Sequence, residues 1–164
     1  MNSWITPEEA LEAIHRGRGK GIRIALLDSG VETSHPALSG LHLIDDLAVV
    51  EDGMMLKVVP GEGRDLFGHG TAVAGVLHQV APEAQIGSIR VLGESLSART
   101  AIIFEGARQA IERGYHIVNC SLGCGIPEHV LKYKSWVDEA YTRGVHVVAA
   151  CNNIDSGRPE WPGF

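Results

Sequence analysis

The stretch Ile24-Ala25-Leu26-Leu27-Asp28-Ser29-Gly30-Val31 decides the fold, because an apolar run ends here in a carboxylate and a glycine turn. Strands that are apolar almost throughout are typical of parallel sheets covered on both faces. We therefore predict a buried strand over residues 22–28 with Asp28 at its carboxyl end. In such sheets, functional groups gather at the carboxyl ends of the strands.

On either side of this strand, the chain alternates between strand and helix patterns. Thr6-Pro7-Glu8-Glu9 predicts the start of a helix that runs to Arg16, and Asp52-Gly53 between apolar runs predicts a hairpin over residues 41–59. A short helix is expected over residues 70–78. The remaining strands are predicted at 86–92, 117–122 and 145–150, with helices at 98–113 and 128–143. Strands that alternate with helices in this way indicate a parallel sheet with right-handed crossovers.

Composition limits the classes of function. The 164 residues are 45% hydrophobic and only 5% aromatic, and they suit one α/β domain with a sizeable core. A net charge of −6 without a basic cluster argues against nucleic-acid binding. No stretch approaches the roughly 18–20 apolar residues of a membrane span, and the N-terminus lacks signal-peptide features. We therefore expect a cytoplasmic protein without a membrane partner, whose three cysteines are reduced and buried.

A second segment, Gly68-His69-Gly70-Thr71, places a histidine in a glycine turn that opens a small-residue helix. Three predicted strands end in, or are followed by, polar groups that should meet at one sheet edge. These are Asp28, Ser121-Leu122-Gly123 and Asn152-Asn153. An aspartate that orients a histidine, a histidine that acts as base and an amide that binds an oxyanion are what acyl transfer needs.

Each of these residues has an ordinary structural explanation when taken alone. Asp28 before Ser-Gly resembles a turn cap, Gly-His-Gly-Thr suits a structural turn or a metal ligand, and Asn153 suits a loop residue. The functional interpretation depends on their occurring together and in order.

Several segments occur in an order specific to one family: Leu26–Val31 with Ser34-His35-Pro36, then His69-Gly70-Thr71-Ala72-Val73-Ala74-Gly75, Val80-Ala81-Pro82, Ile89-Arg90-Val91-Leu92-Gly93, Val118-Asn119-Cys120-Ser121-Leu122-Gly123 and Val147-Val148-Ala149-Ala150-Cys151-Asn152-Asn153. The chain resembles the N-terminal part of the subtilisin-like serine proteases, the subtilases. The resemblance implies a three-layer α/β fold: a mostly parallel subtilisin-like sheet with helices on both faces, truncated after the fifth strand. Residues 1–164 would then form one partial peptidase domain.

The resemblance also implies roles for individual residues. Asp28 would be the triad aspartate, His69 the general base and Asn153 the side-chain oxyanion donor. Ser121, Leu122 and Gly123 would form one backbone wall for an extended peptide or protein substrate. Residues 93–98 would form the opposite wall, where Leu96 and Ser97 replace a glycine-rich stretch and narrow the subsites.

Departures from the family pattern qualify these expectations. No Gly-Thr-Ser-x-Ala segment occurs in the 164 residues, so the family's nucleophilic serine is missing and the chain alone is expected to be inactive. The family's calcium loop is absent and its calcium-binding carboxylate falls at Ala37, so we expect neither metal nor other cofactor. We further expect a homodimer or a partner chain to cover the sheet edge left by the last strand.

Three hypotheses follow. The first is part of a subtilisin-like endopeptidase whose serine lies elsewhere on the native chain or on a partner. The second is a naturally truncated pseudoprotease that binds peptides or acts as a scaffold. The third, a metal-dependent hydrolase using His69 with Asp28, lacks a third ligand at suitable spacing.

Overall fold

The computed structural model describes residues 6–152, 155 and 157–163. Within this part of the chain, six strands and four α-helices alternate much as predicted. The strands are β1 (Arg23–Asp28), β2 (Asp46–Asp52), β3 (Met55–Pro60), β4 (Gln85–Arg90), β5 (Ile117–Cys120) and β6 (His146–Ala149). The helices are α1 (Pro7–Arg16), α2 (His69–Val80), α3 (Thr100–Glu112) and α4 (Val130–Thr142), with 3-10 turns at Pro36–Leu38 and Pro127–His129.

All six strands form one sheet in the order β3-β2-β4-β1-β5-β6. Every neighbouring pair is parallel except the hairpin of β2 with β3, so the predicted mostly parallel α/β class is confirmed. The described sheet has six strands, because both arms of the predicted hairpin belong to it, and β6 corresponds to the last strand that was predicted. The decisive stretch, β1, lies between β4 and β5 near the middle of the sheet.

The two faces of β1 contribute to different cores, which confirms the layered arrangement. Leu27 belongs to the larger core together with residues of α3 and α4, whereas Leu26 packs with Val31, Leu38 and Ala74 of α2. Successive side chains of a strand point to opposite faces. Since both leucines are fully buried, the apolar run of β1 reflects burial on both sides.

Several element boundaries and two cysteine side chains differ from the prediction. Residues 41–45 were expected to begin a strand, but β2 starts at Asp46, and Leu41 and Leu43 instead pack as loop residues against the second core. The fourth helix begins after the Pro127–His129 turn. All three cysteines were expected to be buried, but only Cys120 is. Cys124 is half-buried, and Cys151 is exposed because β6 has already ended at Ala149.

Helix α1 begins with the predicted cap. Thr6 Oγ1 accepts a hydrogen bond from the Glu9 amide (3.2 Å), and the Glu9 carboxylate accepts one from the Thr6 amide (2.8 Å). The helix has no buried residue. Among the described residues, none of the helices combines the length and apolar content that crossing a membrane requires.

Candidate active site

Asp28 is held at the carboxyl end of β1 and is only 1% exposed. Its Oδ1 accepts a hydrogen bond of 2.8 Å from the Ser29 amide. Because β1 is paired on both sides, with Leu27 opposite both Ile89 and Cys120, the backbone that carries this carboxylate is anchored in the sheet.

His69 is the first residue of α2, and two glycines allow its close approach to Asp28. Gly68 caps the helix in a left-handed conformation, with φ of +100°. A Cβ on Gly70 would overlap the carbonyl oxygen of Gly30 and lie 3.2 Å from the Asp28 Cβ. Only a glycine therefore lets the helix start directly against the end of β1.

The imidazole of His69 pairs with both oxygens of Asp28. His69 Nδ1 lies 2.8 Å from Oδ1 and 3.0 Å from Oδ2. The histidine side chain is 36% exposed, whereas its partner is buried, so one side of the ring is open to solvent. In the tautomer whose Nδ1–H donates a hydrogen bond to the carboxylate, Nε2 carries no proton and is free to accept one from a nucleophile.

Asp65 is a further member of this site that the sequence analysis did not single out. It lies in the loop before α2, and its carboxylate accepts five hydrogen bonds. The donors are Ser29 Oγ (2.7 Å), the amides of Phe67 (3.0 Å), Gly68 (2.8 Å) and Thr71 (2.8 Å), and Thr71 Oγ1 (2.5 Å). The available signal was an aspartate five residues before the predicted helix start at Gly70, where N–H groups lack partners.

These hydrogen bonds determine the ionisation of Asp65. Burial opposes the charged form, but the hydrogen bonds from Thr71, Gly68, Phe67 and Ser29 outweigh it and lower the pKa of Asp65 to about 2. The carboxylate is therefore charged at neutral pH and acts as a fixed acceptor for the start of α2.

Ser29 connects Asp65 to the Asp28–His69 pair. Its hydroxyl donates to Asp65 and accepts a hydrogen bond of 3.1 Å from the Gly70 amide, and its own amide donates to Asp28. Ser29 is fully buried. One buried side chain thus links the end of β1 to the first turn of α2.

The two walls expected from the resemblance lie on either side of one cavity. Ser121, Leu122 and Gly123 follow β5, whereas Leu96 and Ser97 precede α3. The cavity has a volume of about 370 Å³, and all five of these residues line it together with His69. The structure therefore brings the histidine and both walls together.

The rest of the cavity lining combines apolar and polar groups. Leu92 and Ile103 contribute apolar surface, and Thr100, Cys124 and Tyr133 contribute polar atoms. Thr100 Oγ1 lies 2.9 Å from His129 Nδ1. Burial raises the pKa of Tyr133, so its phenol stays protonated.

Asn153 lies outside the described residues. Its neighbour Asn152 is described and follows β6 at the same sheet edge as Asp28 and Ser121. Asn152 Nδ2 donates to Glu160 Oε1 (2.9 Å), and its Oδ1 accepts from the Asp155 amide (2.9 Å). In the part of the chain that the structure covers, no three His, Cys, Asp or Glu side chains are grouped to hold a metal ion.

Comparisons with known proteins agree with the geometry. The profile of the subtilase family (peptidase S8) matches residues 19–162. Subtilisin Savinase from Lederbergia lenta is 35% identical over 170 residues, covering 96% of this chain and 58% of the relative. The major intracellular serine protease of Bacillus subtilis (strain 168) is 36% identical over 155 residues, covering 85% and 45%.

A similar structure is also known. The crystal structure of a cold-adapted subtilisin-like serine proteinase superposes with a TM-score of 0.68 at 25% identity, covering 90% of this chain and 52% of that one. The chain thus spans about half the length of the relatives it matches.

Proposed function

Because this chain belongs to the subtilase family, we propose that it supplies the aspartate, the histidine and much of the peptide-binding groove of a serine endopeptidase. The observation that carries the proposal is the contact of both Asp28 oxygens with His69 Nδ1, beside a cavity that His69 itself lines. A buried carboxylate that orients a partly exposed imidazole is the arrangement a general base requires.

The nucleophile in this proposal is a serine outside these 164 residues, on the native polypeptide or on a partner chain. His69 Nε2 takes the hydroxyl proton while the serine oxygen attacks the peptide carbonyl carbon. The tetrahedral intermediate then expels the amine, which receives the proton from His69, and leaves an acyl-enzyme that water hydrolyses by the same steps. Asn153 is the proposed side-chain donor to the oxyanion, and the chain alone is proposed to be inactive.

The proposed substrate is an extended segment of a peptide or protein. Its backbone would lie between the wall of Ser121, Leu122 and Gly123 and the wall of Leu96 and Ser97. Backbone edges bind a strand through main-chain hydrogen bonds, and pockets between them select side chains. The cavity beside His69 is such a pocket.

A partner segment is proposed at β6. This strand pairs with β5 on one side, and among the described residues no strand pairs with its other edge. Val148 at this edge is 54% exposed. An unpaired edge favours strand addition, so a further segment of the native chain, a partner chain or a second copy is proposed to cover it.

A second candidate is a peptide-binding pseudoprotease. The observation that favours it is that His69 and residues of both walls line one cavity, and binding a peptide there needs no nucleophile. In this alternative, the groove holds a peptide, and His69 contributes contacts but no proton transfer.

Two pairs of variants separate the candidates. Ser97→Trp fills the cavity from an exposed position and should weaken peptide binding at least tenfold. Ser135→Trp, on an exposed serine of α4 that does not line the cavity, should not. His69→Ala should abolish hydrolysis by the native polypeptide, by a factor of about 10⁴ or more, and leave binding within a fewfold. The control His42→Ala changes an exposed loop histidine and should keep full activity.

Hydrolysis that survives His69→Ala would refute the endopeptidase proposal. Binding without hydrolysis in any native form would support the pseudoprotease. Binding that does not respond to Ser97→Trp would refute the assignment of the groove.

A further inference from the structure

The segment near Glu160 runs beside the wall of Ser121, Leu122 and Gly123. The Cys124 amide donates to the Trp161 carbonyl (2.9 Å), and the Trp161 amide donates to the Cys124 carbonyl (3.0 Å). These two bonds form an antiparallel bridge. The bridge fixes Glu160, the residue before Trp161, next to the wall.

Glu160 lies against Gly123 of this wall and against Gly125, two residues further along the chain. A Cβ built on Gly123 would lie 2.8 Å from Glu160 Oε2, and one built on Gly125 would lie 3.9 Å from its Cγ. Glycine at both positions therefore leaves the glutamate side chain in contact with bare backbone. Gly123 and Gly125 both line the cavity beside His69, whereas Glu160 itself does not. The carboxylate therefore lies next to the cavity, against two of its lining residues.

The charge of Glu160 is not balanced within the described structure. Oε1 accepts a hydrogen bond from Asn152 Nδ2 (2.9 Å), which is a neutral donor. Among the described residues, no Lys, Arg or His forms an ion pair with Glu160, and Oε2 accepts no hydrogen bond. The side chain is half-buried. A half-buried carboxylate with one free oxygen favours a cationic ligand, because a charge-assisted hydrogen bond replaces the water it has lost.

We propose that Glu160 selects a basic side chain, lysine or arginine, at one position of the bound peptide. The position is the one whose side chain enters between Gly123 and Asn152. The aliphatic part of that side chain would cover the glycine backbone, and its charged end would bind Oε2. This inference rests on the proposed function and names the substrate class of the same groove.

A purely structural role makes a different prediction. If Glu160 only braces Asn152, a glutamine would serve equally well, because its carbonyl oxygen also accepts from Nδ2. The variant Glu160→Gln thus keeps the shape and the bracing bond and removes only the charge. Glu160→Asp keeps the charge on a shorter side chain and should retain part of the preference.

The experiment measures binding of fluorescent hexapeptides to the native polypeptide by anisotropy, with His69→Ala present in every protein to prevent hydrolysis. One arginine is moved through each position of an otherwise neutral peptide, and citrulline, a neutral analogue of similar shape, replaces it in the matched series. Wild type, Glu160→Gln, Glu160→Asp and the control Glu8→Gln are compared. Glu8 has the same side chain as Glu160. It lies on α1, which precedes the amino end of β1, whereas the proposed groups lie at the carboxyl ends of the strands.

We expect arginine to bind at least tenfold more tightly than citrulline at one position only. Glu160→Gln should abolish this preference, and Glu8→Gln should keep it. A preference spread evenly over all positions, or one unchanged in Glu160→Gln, would overturn the inference and leave the proposed function standing. If no peptide binds the protein more tightly than it binds the Ser97→Trp variant, both the inference and the proposed function are overturned.

Discussion

At the scale of single residues, the site depends on two aspartates with different tasks. Asp28 contacts His69 directly and is buried at the end of β1. Asp65 does not contact the imidazole but holds the first turn of α2 through Thr71 and Gly68. Asp65 is therefore a positioning residue, because it acts on His69 through the backbone that carries it.

The low pKa of Asp65 predicts a specific loss of stability in acid. The folded-state pKa of about 2 is below the ordinary value of 3.8, so the stabilisation is fully present above pH 4 and is lost as the pH falls towards 2. After allowance for partial exposure, the linked contribution is about 1–2 kcal/mol. Asp65→Asn should destabilise the chain at pH 7 by about 1–3 kcal/mol, because an amide cannot accept all five bonds.

Urea unfolding at pH 7, 4 and 2.5 checks this prediction. Between pH 4 and 2.5 the wild type should lose more unfolding free energy than Asp65→Asn does. Glu8→Gln, which changes an exposed carboxylate without a hydrogen bond to another described residue, should follow the wild type. If the unfolding free energies of wild type and Asp65→Asn change in parallel with pH, the low pKa of Asp65 is contradicted.

The residue scale also shows what sequence reasoning can reach. The strand pattern and the resemblance placed Asp28 and His69 correctly beside each other, because a strand end and a helix start are local features. Asp65 and Glu160 were missed, because both lie in irregular segments whose position depends on distant partners. Asp65 reaches Ser29 only after the loop before α2 has folded back, and Glu160 reaches Gly123 only through the bridge of Trp161 with Cys124.

At the scale of elements, the contact of α2 with β1 sets the Asp28–His69 distance. Gly70 is the residue through which the helix touches the strand end, and a side chain there would overlap the Gly30 carbonyl. Gly75, five residues further along the same helix, has room, since its added Cβ would lie 3.5 Å from Leu38 Cδ2.

These two glycines give a matched pair of variants. Gly70→Ala should destabilise the chain by about 1–3 kcal/mol through overpacking and should move His69 away from Asp28. Gly75→Ala should be neutral or should stabilise the chain by about 0.5–1 kcal/mol, because alanine costs less backbone entropy in a helix. Thermal and urea unfolding of both variants measure the difference. Equal effects of the two substitutions would show that the tight contact at Gly70 does not constrain the site.

The element boundaries show a second limit of sequence reasoning. Residues 41–50 are apolar often enough to suggest one long strand, but Leu41 and Leu43 reach the second core from a loop. Apolar spacing reports burial and not hydrogen bonding, so it cannot tell a buried loop from a strand. The two arms of the hairpin were predicted correctly, because Asp52-Gly53 between apolar runs is a local turn signal. In the structure, Gly53 makes this turn with φ of +63°.

At the scale of the whole molecule, the sheet order brings the proposed groups to one edge. With β1 between β4 and β5, and β5 beside β6, the segments after β1, β5 and β6 leave the sheet in the same direction. This topology places Asp28, Ser121 and Asn152 at one edge of the sheet, and α2 places His69 beside Asp28. The relatives are about twice as long as this chain, so the proposed serine is expected in sequence that the 164 residues do not contain.

The central claim is that Asp28 and His69 activate a serine supplied from outside these 164 residues. The most direct test is to determine the intact mass of the native polypeptide in its source cell while labelling the same sample with a fluorophosphonate. We expect a longer chain, or a co-purifying chain, that takes the label in wild type and loses it in His69→Ala. A native polypeptide of 164 residues that never takes the label, alone or with a partner, would contradict the claim and leave peptide binding as its function.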